Sequence, residues 1–206
     1  MKRTLSVKSM ALIAMLSAIA VLLMLLRIPL PFIAPSFYKL DLSELPVLIG
    51  TFAMGPLAGV VIEFLKILLN LLFNGTDSAY IGELANFLMG CAYVIPAGLI
   101  YKYVHNRKGA YIALITGCVT LSIAAALVNA FLLLPWYAEN FFASAGGMDA
   151  ILALGTKIHP SIGTLTGFTF LCVLPFNLLK GILTGVLAAL LYKRVSFLIH
   201  NFRGDK

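Results

Sequence analysis

From Met10 to Leu26 the chain runs without a charged side chain, and comparable apolar stretches recur along its whole length. This pattern restricts the fold more than any motif does. A bilayer core about 30 Å thick takes about 20 helical residues to cross, and backbone groups at that depth must find their partners within the protein. Only 11% of the residues are charged and 61% are apolar, whereas an average soluble domain carries about 25% charged residues. The sequence therefore predicts an all-α integral membrane protein. No polar block is long enough to fold apart from the rest, so residues 1–206 read as a single membrane domain.

Six transmembrane helices are expected, over 9–26, 44–54, 57–73, 83–103, 110–134 and 175–192. The stretch from Arg27 to Ser43 carries Pro29, Pro31 and Pro35 and cannot continue the first helix, because proline lacks an amide donor and fixes φ. Gly55-Pro56 separates the second helix from the third. Pro135 is read as closing the fifth helix and Pro175 as opening the sixth, which leaves Trp136 to Leu174 as a long mixed segment. The first apolar run exceeds a secretion-signal core of about 7–15 residues and lacks a small-residue cleavage site, so it reads as a retained helix.

Orientation follows from the basic residues. Lys2, Arg3 and Lys8 precede the first helix, Lys102, Arg107 and Lys108 lie at the turn between the fourth and fifth, and Lys193, Arg194, Arg203 and Lys206 follow the sixth. All fall on one side of a six-helix topology, with Asp205 as the sole acid among them, and the positive-inside rule makes that side and both termini cytoplasmic. The opposite side holds Arg27, Lys39 and Lys157 against Asp41, Glu44, Asp77, Glu83, Glu139 and Asp149. The net charge of +7 is thus a topology signal, and no nucleic-acid partner is needed to account for it.

Several chemistries lack their sequence signatures. Cys91, Cys118 and Cys172 sit in apolar surroundings without a CxxC or Cys/His pairing, so neither a disulfide framework nor a metal site is expected. There is no GxxxxGK[ST] phosphate loop, HExxH or GxSxG, which argues against ATP hydrolysis and against an intramembrane hydrolase, and no cofactor is implied. Asn74-Gly75-Thr76 fits the glycosylation pattern, a match short enough to arise by chance.

Polar groups at membrane depth are costly and mark interior contacts or functional paths. Asn129 lies about one and a half turns before Pro135. Asn177 and Lys180 are three residues apart on one helical face, with Thr184 a turn deeper. At 1.5 Å per residue Lys180 is roughly 8 Å below the start of its helix, and Asn86 is near the start of the fourth. These side chains converge at one depth near the extracytoplasmic surface, beneath the proline-rich first loop. Two readings stay open: a ligand pocket, or hydrogen bonds between helices. Glu63 and Lys66, spaced i, i+3 and followed by Asn70, form a second polar stripe, read as a structural ion pair with a ligand or enzymatic role as the alternative. Aromatic residues in the outer loops, including Phe37, Tyr38, Trp136 and Tyr137, suit an interfacial belt, and some suit stacking on a flat ligand. Ala14 and Ala18 place small residues on one face of the first helix, where another helix can approach closely.

The stretches "ALIAMLSAIAVLLMLLRIPLPF", "LDLSELPVLIGTFAMGPLAGVVI", "ANFLMG", "LVNAFLLLPWY" and "LPFNLLKGILTGVLAALLYKR" resemble the substrate-specific S components of energy-coupling factor (ECF) transporters, and within them the riboflavin-binding type. The resemblance implies a transport subunit, not an enzyme, that captures riboflavin outside and works with a transmembrane coupling protein and two ATPase subunits. It implies flavin contacts from Asn129, Asn177 and Lys180, a first loop covering the ligand around Leu40 and Asp41, and docking on the coupling protein through Ala14 and Ala18. An S component for another vitamin or for a phosphorylated flavin is the alternative. The region from Glu139 to Thr169 departs from the family pattern, so no contact is assigned there.

Overall fold

A computed structural model of the chain describes the backbone of residues 7–203 and the side chains of residues 7–191. The basic residues Lys2, Arg3, Lys193, Arg194, Arg203 and Lys206, and Asp205, which entered the orientation argument, lie outside the described side chains.

Helix α1 spans Val7–Leu25 and stops where Arg27 and Pro29 end the apolar run. The loop that follows is ordered by a short antiparallel ladder, β1 (Ile28–Pro29) on β2 (Lys39–Leu40). Helix α2, Glu44–Met54, is 11 residues long, too short to cross a bilayer by itself. It turns into α3, Pro56–Asn74, at Gly55. With φ of 99°, Gly55 occupies a conformation that a side chain would strain, and Pro56 then suits the first position of α3. Helix α4 covers Ile81–Tyr103.

The last two long helices differ from expectation. Helix α5 runs Arg107–Asn140, continuing through Pro135, and the last long helix, α7, begins at Leu165, ten residues before Pro175. Both prolines are accommodated in the same way. A π-turn, Asn129–Leu133, precedes Pro135 and another, Thr169–Val173, precedes Pro175. There Leu134 N–H donates to Asn129 O and Leu174 N–H to Thr169 O, five residues back. The wider register absorbs the missing proline donor and the ring that would clash with the preceding turn. Helix α7 ends its apolar span at Leu191 and continues as helix to Arg203. Between α5 and α7 lies the short helix α6, Met148–Thr156, so most of the segment read as mixed is helical.

Five of these helices are long and apolar enough to cross a membrane: α1, α3, α4, α5 and α7. Many of their large apolar side chains, among them Leu22, Leu72, Ile115 and Phe131, face outward, as lipid contact requires. Inside, two apolar clusters form. One joins α1, α2, α3, α4 and α5 around Leu48, Ile62, Tyr93 and Val94. The other joins the first loop, the C-terminal part of α5, α6 and α7 around Ala34, Leu134, Ile151 and Phe168. Met89 packs against both.

Charge is buried alongside the first cluster. Lys66 Nζ lies 2.8 Å from Glu44 Oε1 and 2.7 Å from Glu63 Oε1, and all three side chains are inaccessible to solvent or nearly so. The Glu63–Lys66 ion pair expected from their spacing is present, and Glu44 of α2 completes it. Gly90 of α4 makes room for the triad: a Cβ there would collide with the Glu63 carboxylate. Lys66→Met would leave two carboxylates buried without a counter-charge, and removing one partner of a buried pair costs about 3–5 kcal/mol. Thermal unfolding in detergent should show that loss, and an unchanged midpoint would contradict a structural role for the triad.

Candidate ligand site

A cleft of about 130 Å³ opens where the first loop, the ends of α1 and α3, the start of α4, the C-terminal part of α5 and the middle of α7 meet. Asp41, Asn86, Asn129, Asn177 and Lys180 all line it, so five of the side chains singled out from sequence share one cavity wall. It lies at the opposite end of α4 from Lys102 and the basic turn.

The wall is held together by polar contacts reaching across the bundle. Lys180 Nζ donates to Asp41 Oδ2 at 3.0 Å, across 139 residues of sequence. Both side chains are almost fully buried. Asp41 Oδ1 accepts from the Ser43 backbone at 2.9 Å and from the Ser43 hydroxyl. Burial by itself would raise the Asp41 carboxyl, but Lys180 first, then Lys66 and the Ser43 hydrogen bonds, outweigh it and bring it from an ordinary 3.8 down to about 2. Lys180 thus finds its acid in the first loop, a pairing that sequence proximity does not reveal.

A second contact ties the loop to α5. Tyr38 Oη donates to Asn129 Oδ1 at 2.6 Å, while Asn129 Nδ2 donates to Ala125 O at 2.8 Å. Burial pushes the Tyr38 hydroxyl well above its usual range, so it remains a donor. Asn129 is the first residue of the π-turn in α5, and such turns re-aim side chains at functional positions. Asn177 is anchored through Nδ2 to Val173 O at 2.9 Å, a carbonyl of the second π-turn. Tyr38 and Phe176, 5.6 Å apart between ring centroids, and Phe37 supply the aromatic part of the wall.

Not every expected residue reaches the cleft. Thr184 is fully buried one turn below Lys180, and its hydroxyl donates to Lys180 O at 2.8 Å. Leu40 packs against the second apolar cluster instead of lining the cavity. Asn70, grouped from sequence with Glu63 and Lys66, does line it. Its place four residues before the end of α3 carries the same depth signal that singled out Asn129 and Lys180, and its proximity in sequence to the ion pair obscured it. Nothing in the spacing of Tyr38 sets it apart from the other loop aromatics. Ala14 and Ala18 lie on the outward face of α1, away from this site, and Ser17 beside them turns inward to donate to Ile13 O at 2.8 Å. Thr76, in the glycosylation-like triplet, donates from its hydroxyl to Glu83 at 3.1 Å. Among the described residues no group of three or more His, Cys, Asp or Glu is placed to hold a metal ion.

Such a wall suits a flat, polar-edged molecule: a few hydrogen-bonding groups set among aromatic and apolar side chains. A family model for the ECF transporter substrate-specific component matches residues 8–192. The chain is 34% identical over 191 residues to the riboflavin transporter RibU of Staphylococcus aureus (strain TCH60), covering 92% of this chain and 90% of that protein. It is 33% identical to the riboflavin transporter FmnP of Bacillus subtilis (strain 168), covering 90% of each. A solved structure of the S component of a bacterial ECF transporter superposes with a TM-score of 0.71 at 32% identity, covering 93% of this chain and 97% of that one.

The Asp41–Lys180 pair makes stability depend on acid pH. Because the folded carboxyl titrates below its ordinary value, the stabilisation is complete above about pH 4 and is lost as pH falls toward about 2. A shift of this size corresponds to roughly 2 kcal/mol. Unfolding measured across that range should weaken with acidification in the parent chain and lose this share of the slope in Asp41→Asn. An unaltered slope in the variant would contradict the assignment.

Proposed function

The chain belongs to the substrate-specific component family of ECF transporters, and from that membership we propose that it captures riboflavin in the outer cleft and delivers it inward. It is a transport subunit of the cell membrane, not an enzyme. The observation that carries the riboflavin reading is the gathering of Asp41, Asn86, Asn129, Asn177 and Lys180, from the first loop and three helices, around one partly aromatic cavity.

In this reading Lys180 and Asn177 hydrogen-bond the polar edge of the isoalloxazine, and Asn129 and Asn86 add contacts. The first loop, with Leu40 and Asp41, covers the ligand. Tyr38 on Asn129 and Asp41 on Lys180 already occupy the groups the ligand needs, so binding exchanges loop contacts for ligand contacts. Loop position and ligand affinity are thereby linked.

The short α2 is taken as the sixth span, paired with α3 through the Gly55 elbow, and both termini are cytoplasmic. The cleft lies near the end of α1 and the start of α4, whereas the basic turn at Lys102, Arg107 and Lys108 follows the other end of α4. Placing that turn inside puts the cleft outside. Ala14 and Ala18, exposed on α1, offer a close-packing face for the transmembrane coupling protein that works with two ATPase subunits.

Flavin fluorescence titration of the purified chain tests the site. Replacing a ligand hydrogen bond from a charged group costs roughly 1.5–3 kcal/mol, or about 10–100-fold in affinity, so Lys180→Ala should weaken riboflavin binding by that factor and Asn177→Ala by about tenfold. Undiminished binding in both variants would overturn the assignment.

A further inference from the structure

One buried acceptor in the cleft is not accounted for by any contact within the chain. Asn70 is 1% exposed and lines the cavity together with Asn177 and Lys180, yet its Oδ1 has no hydrogen-bond partner among the described residues. The acceptors of two neighbouring residues on the wall, Asn129 and Asp41, are engaged within the chain. Asn129 Oδ1 accepts from Tyr38, Asp41 Oδ2 from Lys180, and Asp41 Oδ1 from Ser43. The other buried oxygens in the same condition belong to Glu44 and Glu63, which do not line the cleft and sit in the ion-paired triad around Lys66. Asn70 is the member of this group that faces the cavity.

Buried polar groups are nearly always satisfied, and leaving one unpaired is unfavourable. The chemistry of the wall indicates what completes this one. Lys180 is a donor without acceptor capacity, and the Nδ2 groups of Asn129 and Asn177 donate to helix carbonyls. Carbonyl oxygens on a ligand therefore find a donor at Lys180, whereas a ligand N–H needs an acceptor. An imide, with its N–H set between two carbonyls, presents both. The Asn70 carboxamide can take the N–H on Oδ1 and return a hydrogen bond from Nδ2 to the adjacent carbonyl.

We infer that Asn70 is a specificity-determining residue that reads the imide edge of the bound heterocycle, with its Oδ1 accepting from the ring N–H. This rests on the riboflavin reading, since the isoalloxazine carries such an imide, and it assigns the N–H to α3. Ligands of similar shape whose imide nitrogen bears no hydrogen are discriminated against at this position.

The test compares riboflavin with riboflavin methylated on its imide nitrogen, titrated by flavin fluorescence against the full chain in detergent. A site built to hydrogen-bond a ligand N–H strongly rejects the analogue lacking it, so the parent chain should prefer riboflavin by at least about 30-fold. Asn70→Ala and the similarly sized Asn70→Leu should each lower riboflavin affinity by about 10–100-fold. Binding of the methylated analogue should change by less than about threefold, so that the preference collapses. Equal binding of the two flavins by the parent chain overturns the inference without any variant. Proportionate loss of both flavins in the variants also overturns it, because a purely structural asparagine would act on both alike. If the parent chain binds neither flavin, the riboflavin reading itself fails, a result distinct from either of the others.

Discussion

The Lys180–Asp41 ion pair organises the site. An ammonium deep in a membrane helix is tolerated only with a partner, and this one takes its carboxylate from a loop 139 residues earlier in the chain. Because Asp41 is fixed in turn by Ser43, the pair fastens the first loop to the middle of α7. Tyr38, three residues before Asp41, then reaches Asn129 on α5. Two polar contacts thus draw the loop over the place where four helices present amide and ammonium groups. The cleft follows from the need to satisfy buried charge, and the loop that supplies the carboxylate also brings Phe37 and Tyr38 to its aromatic lining.

Beneath the cleft, Glu44, Lys66 and Glu63 repeat the principle on α2 and α3. Here the charges are further from the cavity and enclosed by Gly90 of α4. The short α2 is held against α3 by this triad and by apolar packing through Val47, Leu48 and Ile62. A segment of 11 residues would be a poor span in isolation. The buried ion pairing provides what its length does not.

Much of this was readable from the chain. Apolar runs had to become helices because the bilayer leaves few alternatives, and the limits of α2 and the C-terminal limit of α4 at Tyr103 agree with that reading. Depth along a helix is simple arithmetic, so Asn129, Asn177 and Lys180 could be placed at one level before any contact was known. The prolines misled. Pro135 and Pro175 are strong breaks by local chemistry, and only the register shift in the preceding π-turns lets both helices pass through them. Leu134, Cys172 and Val173, in or beside those turns, pack in the second apolar cluster, a tertiary context that no local rule reports. The partner of Lys180 was hidden for a similar reason: pairing between a loop and a distant helix leaves no periodic trace.

Where the ligand sits and what it displaces is tested most directly by a crystal structure of the chain with riboflavin bound. The isoalloxazine is expected in the cleft, with its polar edge within hydrogen-bond distance of Asn177 and Lys180 and the first loop repositioned over it. Flavin density elsewhere, or in the cleft with Asn177 and Lys180 out of reach of the ring, would contradict it.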